Sequence, residues 1–202
     1  MSSEGSARTV PRVTALRSER GRVAVALDDA PWRTLPLEVV LRAGLRVGDE
    51  LDRPRARTLR RELRRHEALA VSTRALRHRD LSARALERRL EQREVSPTGR
   101  AEALETLRRA GILDDRRFAR SRARALAGRG YGDAAIRFDL ERQGVAGEIV
   151  DAVLSELDPE EARAARVAAA AGGGARAARV LARRGFGPDA IEAAAGDVAE
   201  MG

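Results

Sequence analysis

Three sets of side chains in this 202-residue chain have types and spacings that could do chemistry. The first is arginine. Arg60, Arg61, Arg64 and Arg65 recur at helical spacing, Arg84, Arg88 and Arg89 form a second stripe, and Arg116, Arg117, Arg120 and Arg124 continue it. Guanidinium groups are forks matched to phosphates and carboxylates, so such stripes suit polyanions or acidic protein faces. The same arginines could instead pair with Glu62, Glu67, Glu87 or Glu91 on a solvated face. The second set is Asp114-Asp115. At a predicted helix start, these carboxylates read as caps for free backbone N–H groups rather than as a metal or acid pair. The third is aromatic: Phe118, Tyr131 and Phe186 are of the type that stacks on bases in single-strand binders. Phe118 and Phe186 fall at core positions, whereas Tyr131, in a Gly-rich turn, leaves both readings open. His66 and His78 have no Cys partner and no second His four residues away, so they read as surface side chains.

Composition closes off other chemistries. The chain has no Lys and no Cys, which removes a Gly-Lys-Ser/Thr phosphate loop, Schiff-base or lysine-nucleophile catalysis, thiolate chemistry and cysteine zinc sites. Gly128-Arg129-Gly130-Tyr131-Gly132 follows a helical pattern and lacks the spacing of a dinucleotide loop. No cofactor, no metal and no catalytic constellation is expected. The longest charge-free run, Val167 to Ala175, is nine residues, well short of the roughly 20 that cross a bilayer. Met1 to Val10 has no apolar run, so the expectation is a soluble, cytoplasmic chain without a signal peptide.

The net charge of +8 is unevenly placed. Residues 53–100 hold fifteen Arg and six acids, whereas residues 1–52 and 101–157 are balanced and residues 158–202 are slightly acidic. A compositional bias toward Arg would not concentrate the imbalance in one quarter. An acidic protein face or a nucleic acid is the natural partner of that quarter.

The elements that must position these groups follow from periodicity and punctuation. Val23, Val25 and Leu27 alternate with alanines and end at Asp28-Asp29-Ala30-Pro31. With Val10 to Leu16 before and Trp32 to Leu35 after, they predict a small meander. Leu37 to Ala43 predicts a short helix stopped at Gly44, and residues 53–60, with Pro54, read as a linker or a frayed helix start. Beyond Arg60 the pattern is helical. Ser82, Ser96-Pro97, Asp114, Asp133 and Asp158-Pro159 mark helix starts, and Gly111, Gly144, Gly172 to Gly174 and Gly185 mark stops.

A shift of 50 residues superposes Leu76, Leu86, Leu90, Val95 and Leu104 on Leu126, Ile136, Leu140, Val145 and Leu154. A further shift of 41 superposes Leu140, Gly144 and Val145 on Leu181, Gly185 and Phe186. The expected fold is therefore all-α: three tandem three-helix repeats in an elongated, curved array, behind a small β-containing N-terminal extension. The expected boundaries are residues 1–52 for the extension, 53–113 for a linker and first repeat, 114–157 for the second repeat and 158–202 for the third. Between Val167 and Val180 the third repeat offers only Ala, Gly and Arg, which predicts a weak core that orders fully against a partner.

Gly111-Ile112-Leu113-Asp114-Asp115-Arg116-Arg117-Phe118-Ala119-Arg120, then Arg129-Gly130-Tyr131-Gly132, then Leu140-Glu141-Arg142-Gln143-Gly144-Val145 resembles the RecX family, bacterial modulators of the RecA recombinase. The resemblance covers roughly residues 57–157, with the third repeat a weaker match. It implies a monomer of tandem three-helix repeats lying along the groove of the RecA filament on single-stranded DNA. It also implies inhibition of RecA ATP hydrolysis, strand exchange and coprotease activity, in DNA repair, homologous recombination and the SOS response. On this reading the three arginine stripes contact filament or strand, and the protein is a non-enzymatic regulator. The alternative expectation is a sequence-independent DNA-binding protein with no recombinase partner.

Overall fold

The computed structural model describes residues 10–77 and 80–196. Among these residues the chain divides into two compact units, one drawn from residues 10–74 and 90–103, the other from residues 75–77, 80–89 and 104–196. The described residues are mostly helical, with ten helices and one small sheet.

In the first unit, β1 (Val13–Glu19), β2 (Arg22–Leu27) and β3 (Ala30–Pro36) form an antiparallel meander in the order β1-β2-β3. Its turns are sharp: Arg20 and Gly21 turn β1 into β2, and Asp28 and Asp29, both at positive φ, turn β2 into β3. The alternating side chains put Val23, Val25 and Leu35 on one buried face. The helix α1 (Leu37–Ala43) packs Val39 and Val40 on that face and stops at Gly44, which is left-handed with φ 64°. A three-stranded sheet of this size needs a further layer. Leu59, with Leu63 beside it, supplies that layer from α2 (Arg53–Leu76).

Residues 53–60, which read as a linker or a frayed helix start, are the regular first turns of α2. Asp52 starts α2: its Oδ1 accepts the Arg55 N–H at 2.8 Å and its carbonyl accepts the Ala56 N–H at 2.9 Å. Pro54 sits in the first turn, where a missing N–H costs nothing because that group has no partner inside the helix. The Arg run is thus held on a regular helical surface from its first residue.

The second unit carries the helices that follow α3 (Ala83–Glu91) and α4 (Pro97–Arg109). The helices α5 (Asp115–Gly128), α6 (Asp133–Arg142) and α7 (Gly147–Leu154) close around Phe118, Ala119, Ala123, Leu126, Ile136, Leu140, Val145, Val150 and Val153. The helices α8 (Glu160–Ala171), α9 (Gly174–Arg183) and α10 (Pro188–Gly196) close around Ala164, Ala168, Ala177, Leu181, Phe186, Ala190 and Ala194. The alanine-rich segment therefore does have a core, built by close helix approach around Leu181 and Phe186 rather than by bulk. At the start of α8 the N-cap is Pro159, and the Asp158 side chain accepts from Arg166 at 2.8 Å instead of capping.

The two three-helix sets of this unit dock closely. A Cβ at Gly132 would stand 2.3 Å from the carbonyl oxygen of Gly185, so only glycine permits the approach. The Gly132 N–H donates to the Arg184 carbonyl at 2.9 Å and the Ala134 N–H to the Gly185 carbonyl at 3.1 Å. No helix among the described residues is long and apolar enough to cross a membrane.

Candidate functional site

Asp114 and Asp115 stand side by side, but the backbone sends them to different tasks. Asp114 is the N-cap of α5, accepting the Arg117 N–H at 3.0 Å, and that bond holds its carboxyl below the usual aspartate range. Asp115 Oδ1 accepts the Ala83 N–H at 2.7 Å and so caps α3. Ser82, fully buried, caps α3 as well through its Oγ, which takes the Ala85 N–H at 3.1 Å and donates to the Gln143 carbonyl at 2.5 Å. No group of acids and histidines able to hold a metal ion occurs among the described residues.

The aromatics resolve similarly. Phe118 and Phe186 are buried in their cores. Tyr131 is half-buried against the α5–α7 core, and the Arg129 guanidinium lies 5.4 Å from its ring centre. Phe138, by contrast, is 67% exposed on α6. His66 places Nδ1 3.5 Å from Glu38 on the surface of the first unit, and His78 lies outside the described residues.

The predicted arginines divide between the units. On α2, Arg60, Arg61 and Arg64 are exposed and Arg65 is half-buried. Arg61 reaches the buried Glu62 at 3.3 Å. In the second unit Arg84 pairs with Glu87 at 2.9 Å, Arg88 donates to the Arg142 carbonyl at the end of α6 at 3.1 Å, and Arg89 is half-buried.

The α5 set is largely committed to the fold. Arg117 donates to the carbonyls of Gly111 and Ile112 at 2.9 and 2.8 Å, closing the turn after α4. Arg120 binds Glu156 through two bonds, at 2.6 and 2.9 Å, and Arg116 adds a third at 3.1 Å. The bond from Arg120, with that from Arg116, lowers the Glu156 carboxyl to about 2, and the Arg120 guanidinium is correspondingly raised. Beside them Arg122 forks onto Asp139 at 2.6 and 2.9 Å and lowers its carboxyl in the same way. Only Arg124 of the predicted α5 set is left facing open space, at the rim of a cleft.

That cleft, of about 810 Å³, is the feature that sequence reasoning missed. It runs between the end of α5, the α5–α6 turn, the end of α7, α8 and α9, and six arginines line it: Arg124, Arg129, Arg163, Arg166, Arg176 and Arg184. Its floor is fixed by Arg163, only 4% exposed, which donates to the carbonyls of Asp158 and Tyr131 at 3.0 Å each and pairs with Asp133. Apart from Arg124, which the α5 spacing singled out, neither charge counting nor spacing pointed to these residues, because they come from stretches without net positive charge.

Comparison with known proteins places this architecture. The family model for the second three-helix domain of RecX matches residues 114–154, the α5–α7 set and its Asp114 cap. Over 135 residues the chain is 34% identical to the regulatory protein RecX of Halorhodospira halophila, covering 62% of this chain and 84% of that protein. Over 164 residues it is 31% identical to the regulatory protein RecX of Deinococcus radiodurans, covering 76% of this chain and 78% of that one. In fold it is similar to a crystal structure of a regulatory protein RecX, with a TM-score of 0.78 at 18% identity over 91% of this chain and 98% of the other. The crystal structure of RecX from Lactobacillus salivarius gives a TM-score of 0.62 at 15% identity, over 68% and 97% of the two chains.

Proposed function

The chain belongs to the RecX family of regulatory proteins, which act in recombination and DNA repair, and on that premise we propose that it binds the RecA filament on single-stranded DNA and restrains it. It lowers RecA ATP hydrolysis, strand exchange and coprotease activity, and it acts as a monomer in the cytoplasm without chemistry of its own. The helical region is organised as three tandem three-helix repeats, with α2–α4, α5–α7 and α8–α10 as the copies and the sheet as an extension.

One observation carries this reading beyond the family: the arginines of α2 stand on regular helix and the fold does not use them all up. Arg60, Arg61 and Arg64 project from α2 into solvent, and the acids nearby cannot neutralise fifteen arginines with six carboxylates over residues 53–100. Such a surface attracts acidic protein groups and phosphates, and steers association at a distance. Arg84, Arg88 and Arg89 on α3 lie in the second unit and are taken as contacts in their own right. Of the α5 arginines, Arg124 belongs to the contact surface, while Arg116, Arg117 and Arg120 support it through their internal bonds.

The competing reading is a DNA-binding protein indifferent to recombinase. Affinity for RecA-coated and for bare single-stranded DNA, measured in parallel at increasing salt, separates them. The filament modulator binds the coated strand more tightly and keeps that preference as salt rises. Equal affinity, with losses of orders of magnitude between roughly 50 and 200 mM salt on both, belongs to phosphate binding alone.

A further inference from the structure

The cleft between α5, α7, α8 and α9 holds more positive charge than the fold uses. Of its six arginines, Arg163 is consumed by Asp133 and two carbonyls, and Arg166 by Asp158. The cleft's two acids are likewise taken. Glu156 is bound by Arg116 and Arg120 from outside the cleft, and Asp158 by Arg166. That leaves Arg124, Arg129, Arg176 and Arg184, none ion-paired among the described residues, around one concavity of about 810 Å³. Four like charges lining one cleft repel each other, and although Arg129 also lies over the Tyr131 ring, no ion pair among the described residues offsets that repulsion.

The chemistry of the walls narrows the ligand. Guanidinium forks bind oxyanions through paired N–H donors, and phosphate accepts from several such forks at once. Apart from the arginines and the two paired acids, Glu156 and Asp158, the lining is small and aliphatic, with Ala127, Val167, Ala170 and Val180 among it, and carries no aromatic ring among the described residues. The volume falls within the range that encloses compact ligands, and it is larger than one phosphate needs.

We propose that this cleft is a binding site for clustered phosphate groups, held by Arg124, Arg129, Arg176 and Arg184 above the floor set by Arg163. The shared chemistry is that of closely spaced phosphates, whether in a free polyphosphate chain, as on a nucleoside triphosphate, or along a nucleic-acid backbone. The proposal shares Arg124 with the recombinase reading, but its test needs no filament, so the two fail separately.

The test uses the full chain and the double variant Arg124→Gln, Arg176→Gln. Both positions are exposed and without ion-pair partners, so the melting temperature stays unchanged. Inorganic tripolyphosphate is titrated calorimetrically, and a short fluorescein-labelled oligothymidine by anisotropy. Loss of about tenfold or more in tripolyphosphate affinity on substitution establishes the site with a free polyphosphate as its ligand. If only the oligonucleotide binds, substitution lowers its affinity and flattens its salt slope by about 1.4, the value for two lost contacts to single-stranded phosphates, and the backbone is the source. Unchanged affinity and slope for both probes overturns the proposal. So does equal binding of an oligoglutamate peptide, which would make the cleft a carboxylate site. Should the double variant melt early, Arg176→Glu alone, judged by the same titrations, decides between these outcomes.

Discussion

Glu160, the first residue of α8, accepts the backbone N–H of Asp133, the first residue of α6, at 2.6 Å across 27 positions of sequence. The same relationship joins Asp115, the first residue of α5, to Ala83, the first residue of α3, at 2.7 Å. The accompanying bonds match too: Ser82 Oγ reaches the carbonyl before Gly144, and the Gly132 N–H reaches the carbonyl before Gly185. In both cases a carboxylate at the head of one helix, α5 or α8, caps the helix two places earlier, α3 or α6, placing negative charge at a positive helix end. Glu160 Oε2 also takes the Gly187 N–H at 3.2 Å, so one side chain ties α6, α8 and the turn into α10.

Removal of this clasp should loosen the second unit. Glu160→Ala leaves the Asp133 N–H without its charged acceptor, and charge-assisted bonds contribute about 1.5–3 kcal/mol. A loss of about 2 kcal/mol in urea unfolding is expected. Gly132→Ala should cost more, because its Cβ overlaps the Gly185 carbonyl and the backbone has to move.

Arg163 is the buried cation of this unit, paired with Asp133 and lying 6.0 Å from the Phe186 ring centre. Arg163→Ala should destabilise by about 3 kcal/mol, since truncating one partner of a buried pair strands the other and two carbonyls. Arg163→Lys should recover only part, because an ammonium cannot reach all three acceptors in the guanidinium plane. Thermal melts of the three proteins check the order wild type, Lys, Ala.

Acid stability carries a signature of Glu156. Its carboxyl titrates at about 2 when folded against an ordinary 4.5, so folding favours the charged form. That contribution is complete above about pH 4.5 and is lost as pH falls toward 2, while Arg116 and Arg120 stay charged throughout. Glu156→Gln should therefore flatten the stability curve between pH 4.5 and 2 and change its shape little at neutral pH. Denaturant midpoints across that range read it directly.

Arg117 and Arg124 lie seven residues apart on α5 and should separate cleanly. Arg117→Ala removes two bonds that close the turn after α4 and should lower stability by about 1 kcal/mol with filament binding per folded molecule retained. Arg124→Ala should leave stability unchanged and weaken binding. Unfolding curves and filament titrations on the same two proteins check the contrast.

Much of this architecture was legible because helix ends are punctuated by groups whose chemistry is local. Ser82, Asp114 and Gly44 announce their roles within three residues, and the core positions of α6 and α9 repeat at fixed shifts. The RecX motif around Asp114 and Tyr131 named the family for the same reason. Three features were not legible. Asp52 capping through Pro54 turned an apparent linker into the start of α2, because the proline occupies the one turn where it is harmless. Asp115 looked like a cap of its own helix and Glu160 carried no signal at all, since nothing local says that a carboxylate reaches back 32 or 27 residues. The cleft was hidden by averaging. Arg124, Arg129, Arg176 and Arg184 share it, while the acids that balance their segments, such as Glu161 and Glu192, lie outside its lining.

The central claim is restraint of the recombinase through the arginine surface of α2. It is tested most directly by RecA ATP hydrolysis on single-stranded DNA, measured with this protein and with Arg60, Arg61, Arg64 and Arg65 all changed to Glu. Hydrolysis should fall as the wild-type protein is added and should return toward the uninhibited rate with the reversed variant, provided its melt shows it folded. A rate that the wild-type protein leaves untouched, or that the folded variant lowers equally well, would contradict it.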